Sequence, residues 1–315
     1  MIKLHKIKNF FHKDEPQQGN GLSADLSELM GMRRYIPIIR NTKAKAASSV
    51  DSGNIKSAFR GRGIEMEEIR QYQFGDDIRD IDWRVTARMN EPYTKIYAQE
   101  RNREIYVWLD LSPIMLFGSK TELKSVTAAK IAALLGWIAL DNKDRFGCVV
   151  FDGQQSWLFK PRNDRAYIAA ICKKIAEISQ NALNNSHNDM DAKLKSLKML
   201  SRQVKKDGSV FVISSMMYWE EVYDNDLAYL AKNNRLFLFD IYDELERKAP
   251  RSGQYMAQFG EDRLTIDSSN KEYNKTYRDY FAKKYQERQD WCKHFGCQLI
   301  DFSQNSNVIK NLKIF

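Results

Sequence analysis

Histidine is scarce in this chain, with four in 315 residues, and none stands in a constellation with a nucleophile or an acid. Hydrolase readings therefore lose their usual base. Cysteine is equally sparse, limited to Cys148, Cys172, Cys292 and Cys297. Cys148 falls in an apolar, strand-like run and Cys172 on a helical face, so both are expected as small buried hydrophobes. Cys292 and Cys297 flank His294, but C-x-H-x-x-C lacks the second ligand pair of a structural zinc site. A reduced, cytoplasmic protein is the simplest account. The glycine patterns of nucleotide binding are missing as well. There is no G-x-x-x-x-G-K-[ST], Phe117-Gly118-Ser119-Lys120 has too few glycines to cradle phosphates, and the first strand-to-helix turn lacks G-x-G-x-x-G. No G-x-S-x-G elbow presents a serine. Long apolar runs are absent too: residues 131–140 are too few to span a bilayer, and residues 1–11 lack the continuous apolar core of a signal peptide.

What is present suits a folded protein. Hydrophobic residues make up 43% and aromatics 12%, more than a disordered chain carries. The formal charge of +9 could draw nucleic acid, anionic lipid or an acidic protein face, or could reflect a generally basic solvated surface. Lys and Arg are spread along the chain, and between Arg60 and Arg103 they alternate with acids, which favours internal pairing over a phosphate-binding stripe.

The predicted organisation is an N-terminal polar segment with a short helix and linker (1–57), a charged module (58–103) and an α/β domain (104–315). Leu22, Leu26, Leu29 and Met30 have helical spacing, with Ser23 as a cap, and 41–57 reads as a linker. The charged module has aromatic anchors and a turn at Gly75-Asp76-Asp77, so short strands and tight turns are expected. From residue 105 strands and helices alternate. Strands are expected at 105–109, 146–151, 155–159, 209–213, 236–241 and 298–302. Helices are expected up to about Asp141 after a capping box at Ser119-Lys120-Thr121-Glu122, then at 164–179, 189–204, 221–232 and 273–295. The first of these should carry Leu123, Val126, Ala133, Leu134 and Trp137 on an inner face. This alternation predicts an open, mostly parallel sheet with helices on both faces.

Such sheets place their sites beyond the carboxyl ends of the strands. Asp110 and Ser112 close the first strand, where they could hold a hard divalent ion through oxygen or simply satisfy loop amides and cap the next helix. The acids Asp76, Asp77, Asp80 and Asp82 are interspersed with Arg79, Arg84 and Arg88, so Arg–Asp pairing is the better reading than a metal cluster. Trp83 is the expected apolar anchor of this turn. Pro113, Ile114, Met115, Leu116 and Phe117 place apolar bulk at the strand end, either as a docking surface or as a cover for the sheet.

These residues carry a signature. Gly61-Arg62-Gly63, Glu67, Arg70-Gln71-Tyr72, Gly75-Asp76-Asp77, Arg79, Ile81-Asp82-Trp83, Thr86-Ala87-Arg88, Lys95 and Glu100 run into Leu109-Asp110-Leu111-Ser112 and Met115. The string closely resembles the bacterial family called domain of unknown function 58, with the match reaching from about Leu22 to the C-terminus. The resemblance implies a von Willebrand factor A-like domain behind the signature segment, and association with MoxR-type AAA+ ATPases in chaperone-like remodelling of protein complexes. Many relatives carry transmembrane helices before the signature; none is visible here. It also implies a degenerate metal-ion-dependent adhesion site. Asp110 and Ser112 match, Ile114 replaces the second Ser, Asn188 stands at the Thr position and Ser215 at the late Asp. Few charged ligands remain, so no cofactor is expected and magnesium would be held weakly. The expected function is therefore a non-catalytic, cytoplasmic adaptor that partners a MoxR-type ATPase and unknown client proteins. The alternatives are a basic nucleic-acid-binding protein or a metal-dependent enzyme centred on Asp110 or the Asp76–Asp82 group.

Overall fold

The structure, a computed structural model, describes residues 20–40, 66–97, 103–184, 188–250, 252–259 and 262–303. The linker expected at 41–57 and the tail after the last strand lie outside them. The chain forms two compact units, one of residues 59–102 and one of the residues before and after it.

In the larger unit the first helix, α1 (Leu26–Gly31), is capped by Asp25, whose carboxylate accepts from the Ser27 amide at 3.0 Å. The cap is Asp25 rather than Ser23. Leu29 is buried while Leu22 and Leu26 are exposed, because α1 meets the body of the unit through one edge only. Two hydrogen bonds hold it there: Trp137 Nε1 donates to the Leu29 carbonyl at 3.0 Å, and the Ser179 hydroxyl accepts from the Ala24 amide at 2.9 Å.

The smaller unit is a β-hairpin with a helical insertion. Strands β1 (Met66–Gln71) and β2 (Tyr93–Tyr97) pair antiparallel, with Gln71 opposite Tyr93. Between them lie a 3-10 turn over Ile78–Asp80 and helix α2 (Trp83–Met89). The sequence makes these turns locally. Gly75 has φ +110°, a conformation that side chains rarely adopt. Asp77 and Asp82 are N-caps, Asp82 accepting from the Arg84 and Val85 amides at 2.9 and 3.3 Å, and Asn90 ends α2 in the left-handed region. The expected strands and turns are present, and α2 is added to them.

The larger unit is built on a sheet ordered β10-β7-β6-β3-β4-β5. Its strands are β3 (Glu104–Asp110), β4 (Arg145–Phe151), β5 (Ser156–Arg162), β6 (Ser209–Ser214), β7 (Arg235–Tyr242) and β10 (Gln298–Ser303). All pairings are parallel except β4 with β5. The central strands are apolar at nearly every position because both faces are covered. On one face Tyr106, Trp108, Val210, Val212, Leu236 and Leu238 meet helices α5 (Met190–Gln203) and α6 (Asp224–Asn233) and the end of α7 (Lys271–Phe295). Helices α3 (Lys124–Asp141) and α4 (Arg165–Ala182) pack on each other and on β3 and β4. Asp164, Asp189 and Asn270 cap α4, α5 and α7, and Gly296, at φ +67°, ends α7. The predicted fold class, an open and mostly parallel sheet between helical layers, is the observed one.

Two local expectations are corrected, and one pair of strands is added. The capping box at Ser119 does not form: α3 starts at Lys124 with Leu123 in the cap position and no side-chain cap. Ser119 instead donates to Asp243, and Glu122 takes the Thr127 hydroxyl and the Lys130 ammonium. Helix α3 has no single inner face; it is buried almost all round from Lys124 to Ala139, enclosed by the sheet, α1 and α4. Finally, β8 (Gln254–Phe259) and β9 (Asp262–Asp267) pair antiparallel, which the polar sequence there did not announce.

Trp137 joins α1 to α3 through one hydrogen bond in a dry contact. Trp137→Phe should lower the urea-unfolding free energy by about 1–3 kcal/mol, because the Leu29 carbonyl loses its donor. A change below about 0.5 kcal/mol, the scale of an ordinary surface substitution, would contradict that role.

Candidate functional site at the carboxyl ends of the sheet

From β3 the chain steps to β4 on one side, while β6 lies on the other. The sheet order therefore reverses at β3/β6, and the crevice beyond their carboxyl ends is where an open α/β sheet gathers its functional groups. Asp110 ends β3 and Ser214 ends β6, both fully buried.

Asp110 is completely partnered. One carboxylate oxygen accepts from the Ser112 amide at 2.9 Å. The other accepts from the Ser214 hydroxyl at 2.6 Å and from the Lys193 ammonium at 3.0 Å. Burial alone would raise the Asp110 pKa, but the Lys193 charge and the hydrogen bonds from Ser112 and Ser214 outweigh it and hold the carboxyl below its ordinary 3.8. Lys193 comes from the first turn of α5. Its ammonium lies 5.6, 5.2 and 5.5 Å from the ring centres of Trp108, Trp219 and Tyr223, a setting that offsets part of the cost of dehydrating a cation. The same turn is tied to the sheet: the Lys193 carbonyl accepts from Ser196 Oγ at 2.6 Å, and Ser196 Oγ accepts from Trp108 Nε1 at 2.9 Å.

A second buried lysine enters from the opposite layer. Lys124, the first residue of α3, places its ammonium 2.5 Å from Glu246 and 3.3 Å from the Ser215 hydroxyl. Tyr218 and Phe117 lie over it, with ring centres at 5.1 and 6.0 Å. Glu246 in turn accepts the Asp243 amide at 2.9 Å, closing a capping box. Beyond β7 and β10, Arg247 bridges Asp240 at 3.0 Å and Asp301 at 2.9 Å. Burial pushes the Asp240 pKa up to about 6, and Asp301, which shares the same guanidinium, adds to the rise. Asp110, Glu246, Asp240 and Asp301 thus each have a cation against them.

The predicted site residues divide accordingly. Asp110 and Ser112 sit in the crevice. Ser112 gives no side-chain cap to the 3-10 turn over Pro113–Met115. Asn188 is exposed, and Ser215 is buried against Lys124. Met115 is corrected from a contact candidate to a core residue, being 0% exposed; Pro113 and Ile114 are half-buried, and Phe117 is 42% exposed. Lys193 and Lys124 carried no motif, yet they define the site. The available signal was register: Lys193 lies on the face of Leu197 and Leu200, four and seven residues on, and that face is buried.

A divalent ion does not fit these residues. It would have to displace the Lys193 ammonium from Asp110, and it would find one carboxylate and hydroxyls around it. Among the described residues no group of three or more His, Cys, Asp or Glu side chains is placed to hold a metal.

In the smaller unit the signature residues are engaged locally. Arg70 pairs with Asp76 at 2.7 Å and Arg79 with Asp77 at 2.7 Å. A hydrogen bond from the Gln73 amide, followed by Arg70, lowers the Asp76 pKa; the Arg79 side chain lowers that of Asp77. The Tyr72 amide donates to the Pro92 carbonyl at 2.8 Å, and Arg88 lies exposed in the last turn of α2, complementing its dipole. Trp83, expected as the apolar anchor of this turn, is the first residue of α2 and is 67% exposed. Cys148 and Cys172 are buried, and burial raises their thiol pKa values, that of Cys172 to about 12, so neither has thiolate character at neutral pH. Cys292 and Cys297 meet across the end of α7, where the Cys297 amide donates to the Cys292 carbonyl at 3.0 Å.

Asp110→Asn leaves the Lys193 charge buried without its counter-ion and should cost about 3–5 kcal/mol at pH 7. Because the folded-state pKa of Asp110 lies below its ordinary 3.8, its contribution is complete above that value and is lost as pH falls through the folded pKa. The gap between wild type and variant should therefore narrow below pH 3.8 in urea titrations at successive pH values. A gap that is constant with pH would contradict the ionised pair.

Among known proteins, an uncharacterized protein of Mycobacterium tuberculosis is 25% identical over 226 residues, covering 71% of this chain and 68% of the relative; an uncharacterized protein of Mycobacterium bovis matches equally. Solved structures that match include the conserved hypothetical protein BatB from Bacteroides thetaiotaomicron, at 14% identity and a TM-score of 0.41 over 67% of this chain and 95% of that one. The von Willebrand factor A domain of SpRpn10 matches at 8% identity and a TM-score of 0.34, over 67% and 93%. The family model described as protein of unknown function DUF58 matches residues 68–290, which takes in most of the hairpin and strands β3 to β7 of the sheet. The chain belongs to the DUF58 family.

Proposed function

We propose that this chain is a non-catalytic protein-interaction adaptor that works in the cytoplasm with a MoxR-type AAA+ ATPase in the assembly or remodelling of other protein complexes. The observation that supports this reading is the state of the switch-point crevice. Its carboxylates Asp110, Glu246 and Asp240 are matched by Lys193, Lys124 and Arg247, so none of these three stands as a free general base. Its rim is apolar and aromatic, with Phe117 and Tyr218 each more than two-fifths exposed beside half-buried Pro113 and Ile114. A neutralised floor under an apolar rim suits docking of a protein face better than turnover of a small molecule. The class of partner follows from the family resemblance, and no cofactor is needed for the role.

The test is recovery of partners on the tagged full chain from its native cell, with and without ATP and magnesium, for wild type and Phe117→Asp. Nucleotide-sensitive recovery of an AAA+ ATPase is expected. It should fall about tenfold or more in the variant, equivalent to about 1.4 kcal/mol of docking energy, while the melting temperature stays put. Recovery of nucleic acid and no ATPase in either condition would overturn the adaptor reading in favour of a basic nucleic-acid binder, whose affinity would fall steeply with salt.

A further inference from the structure

We propose that Cys292 and Cys297 are a reversible redox-modification site, which closes to an intrachain disulfide at the junction of α7 and β10 when the chain meets a hydroperoxide. The geometry comes from the way α7 ends. Gly296 takes φ +67°, the Cys297 amide donates to the Cys292 carbonyl at 3.0 Å, and the Gly296 amide donates to the Lys293 carbonyl at 3.4 Å. A helix end closed by this pair of bonds turns the side chains at its two outer positions toward each other. Here both positions are cysteines. Cys292 is buried in the core cluster, and half-buried Cys297 packs against the same cluster. A hydrogen bond links the two sulfurs, so they lie within reach of the approach that a disulfide needs.

Their surroundings give the two sulfurs different roles. The hydrogen bond from Cys297, followed by the Arg288 charge and opposed by burial, holds the Cys292 thiol below its ordinary 9.0; the same contact holds Cys297 above it. Cys292 is therefore the nucleophile. Its thiolate attacks one oxygen of the hydroperoxide and the O–O bond breaks. The leaving alkoxide, or hydroxide from hydrogen peroxide, takes a proton from solvent, and Cys292 is left as a sulfenic acid. The charge that held the Cys297 proton is then gone. Cys297 loses that proton to solvent and attacks the Cys292 sulfur; the S–S bond forms, the S–O bond breaks, and hydroxide leaves as water. Two thiols and one hydroperoxide thus give a disulfide, an alcohol or water, and a further water. A thiol reductant reverses the change. His294, between the two cysteines, is exposed with its ring edge-on to Phe295 at 4.7 Å. Among the described residues no third ligand joins the pair, so its chemistry is that of a dithiol.

The test treats the folded, reduced full chain with hydrogen peroxide, blocks the remaining thiols with N-ethylmaleimide under denaturing conditions, and maps the tryptic peptides by mass. Trypsin cuts after Lys293, so the bridge is read as two linked peptides that dithiothreitol separates. The blocked forms of both peptides should fall together by about tenfold. Cys148 and Cys172, buried thiols held above their ordinary pKa, should keep their label. Cys292→Ser and Cys297→Ser should each lose the linked pair. The proposal is overturned if Cys292 and Cys297 stay blocked as free thiols. It is equally overturned if they pass to sulfinic or sulfonic acid without bridging, or if they bridge only between two chains.

Discussion

The ion pair between Asp110 and Lys193 is the constraint around which this end of the molecule is arranged. A carboxylate at the end of a central strand, 0% exposed, is tolerable only with a counter-charge and a full set of hydrogen bonds. The counter-charge fixes the position of α5, because the ammonium that reaches Asp110 belongs to a turn whose backbone is held by Ser196 and, through it, by Trp108. Ser214 joins the same carboxylate from β6. Strand β3, strand β6 and helix α5 thus share one anion, and the switch point of the sheet is closed by polar contacts rather than by packing alone.

The same logic repeats outward from the sheet. Lys124 at the start of α3 meets Glu246 at 2.5 Å, and Arg247 one residue later meets Asp240 and Asp301. The short turn that carries Glu246 and Arg247 therefore joins the α3 layer to the ends of β7 and β10. Removing one member of such a pair is expensive, since it leaves the other buried and uncompensated. The crevice consequently behaves as a neutral, stiff floor. Above it stand the exposed rings of Phe117 and Tyr218. These rings also cover Lys124, so the proposed docking surface and the neutralised floor are physically continuous.

The strands and most helices were legible because they rest on local signals. Apolar β-branched and aromatic runs mark β3, β4, β6 and β7, while Asp164, Asp189 and Gly296 mark helix ends by their own chemistry. Asp110 was legible by its place after a strand. The lysines were not. In α5 the run Met190-Asp191-Ala192-Lys193-Leu194-Lys195 reads as an ordinary charged helix start; register with Leu197 and Leu200 separates Lys193 from Lys195, but the partner it meets on that buried face, Asp110, comes from a strand 83 residues away. Ser119 misled for the opposite reason: its capping-box pattern is satisfied by a partner 124 residues away, Asp243.

The most direct measurement of this account is the coupling free energy between Asp110 and Lys193, from urea unfolding of wild type, Asp110→Asn, Lys193→Met and the double variant. The account predicts that each single change is severe while the double variant is far more stable than their sum, with a coupling of about 2 kcal/mol or more. Additive effects, with a coupling within about 0.5 kcal/mol of zero, would mean that the two groups do not sustain each other, and the central pair would lose its standing.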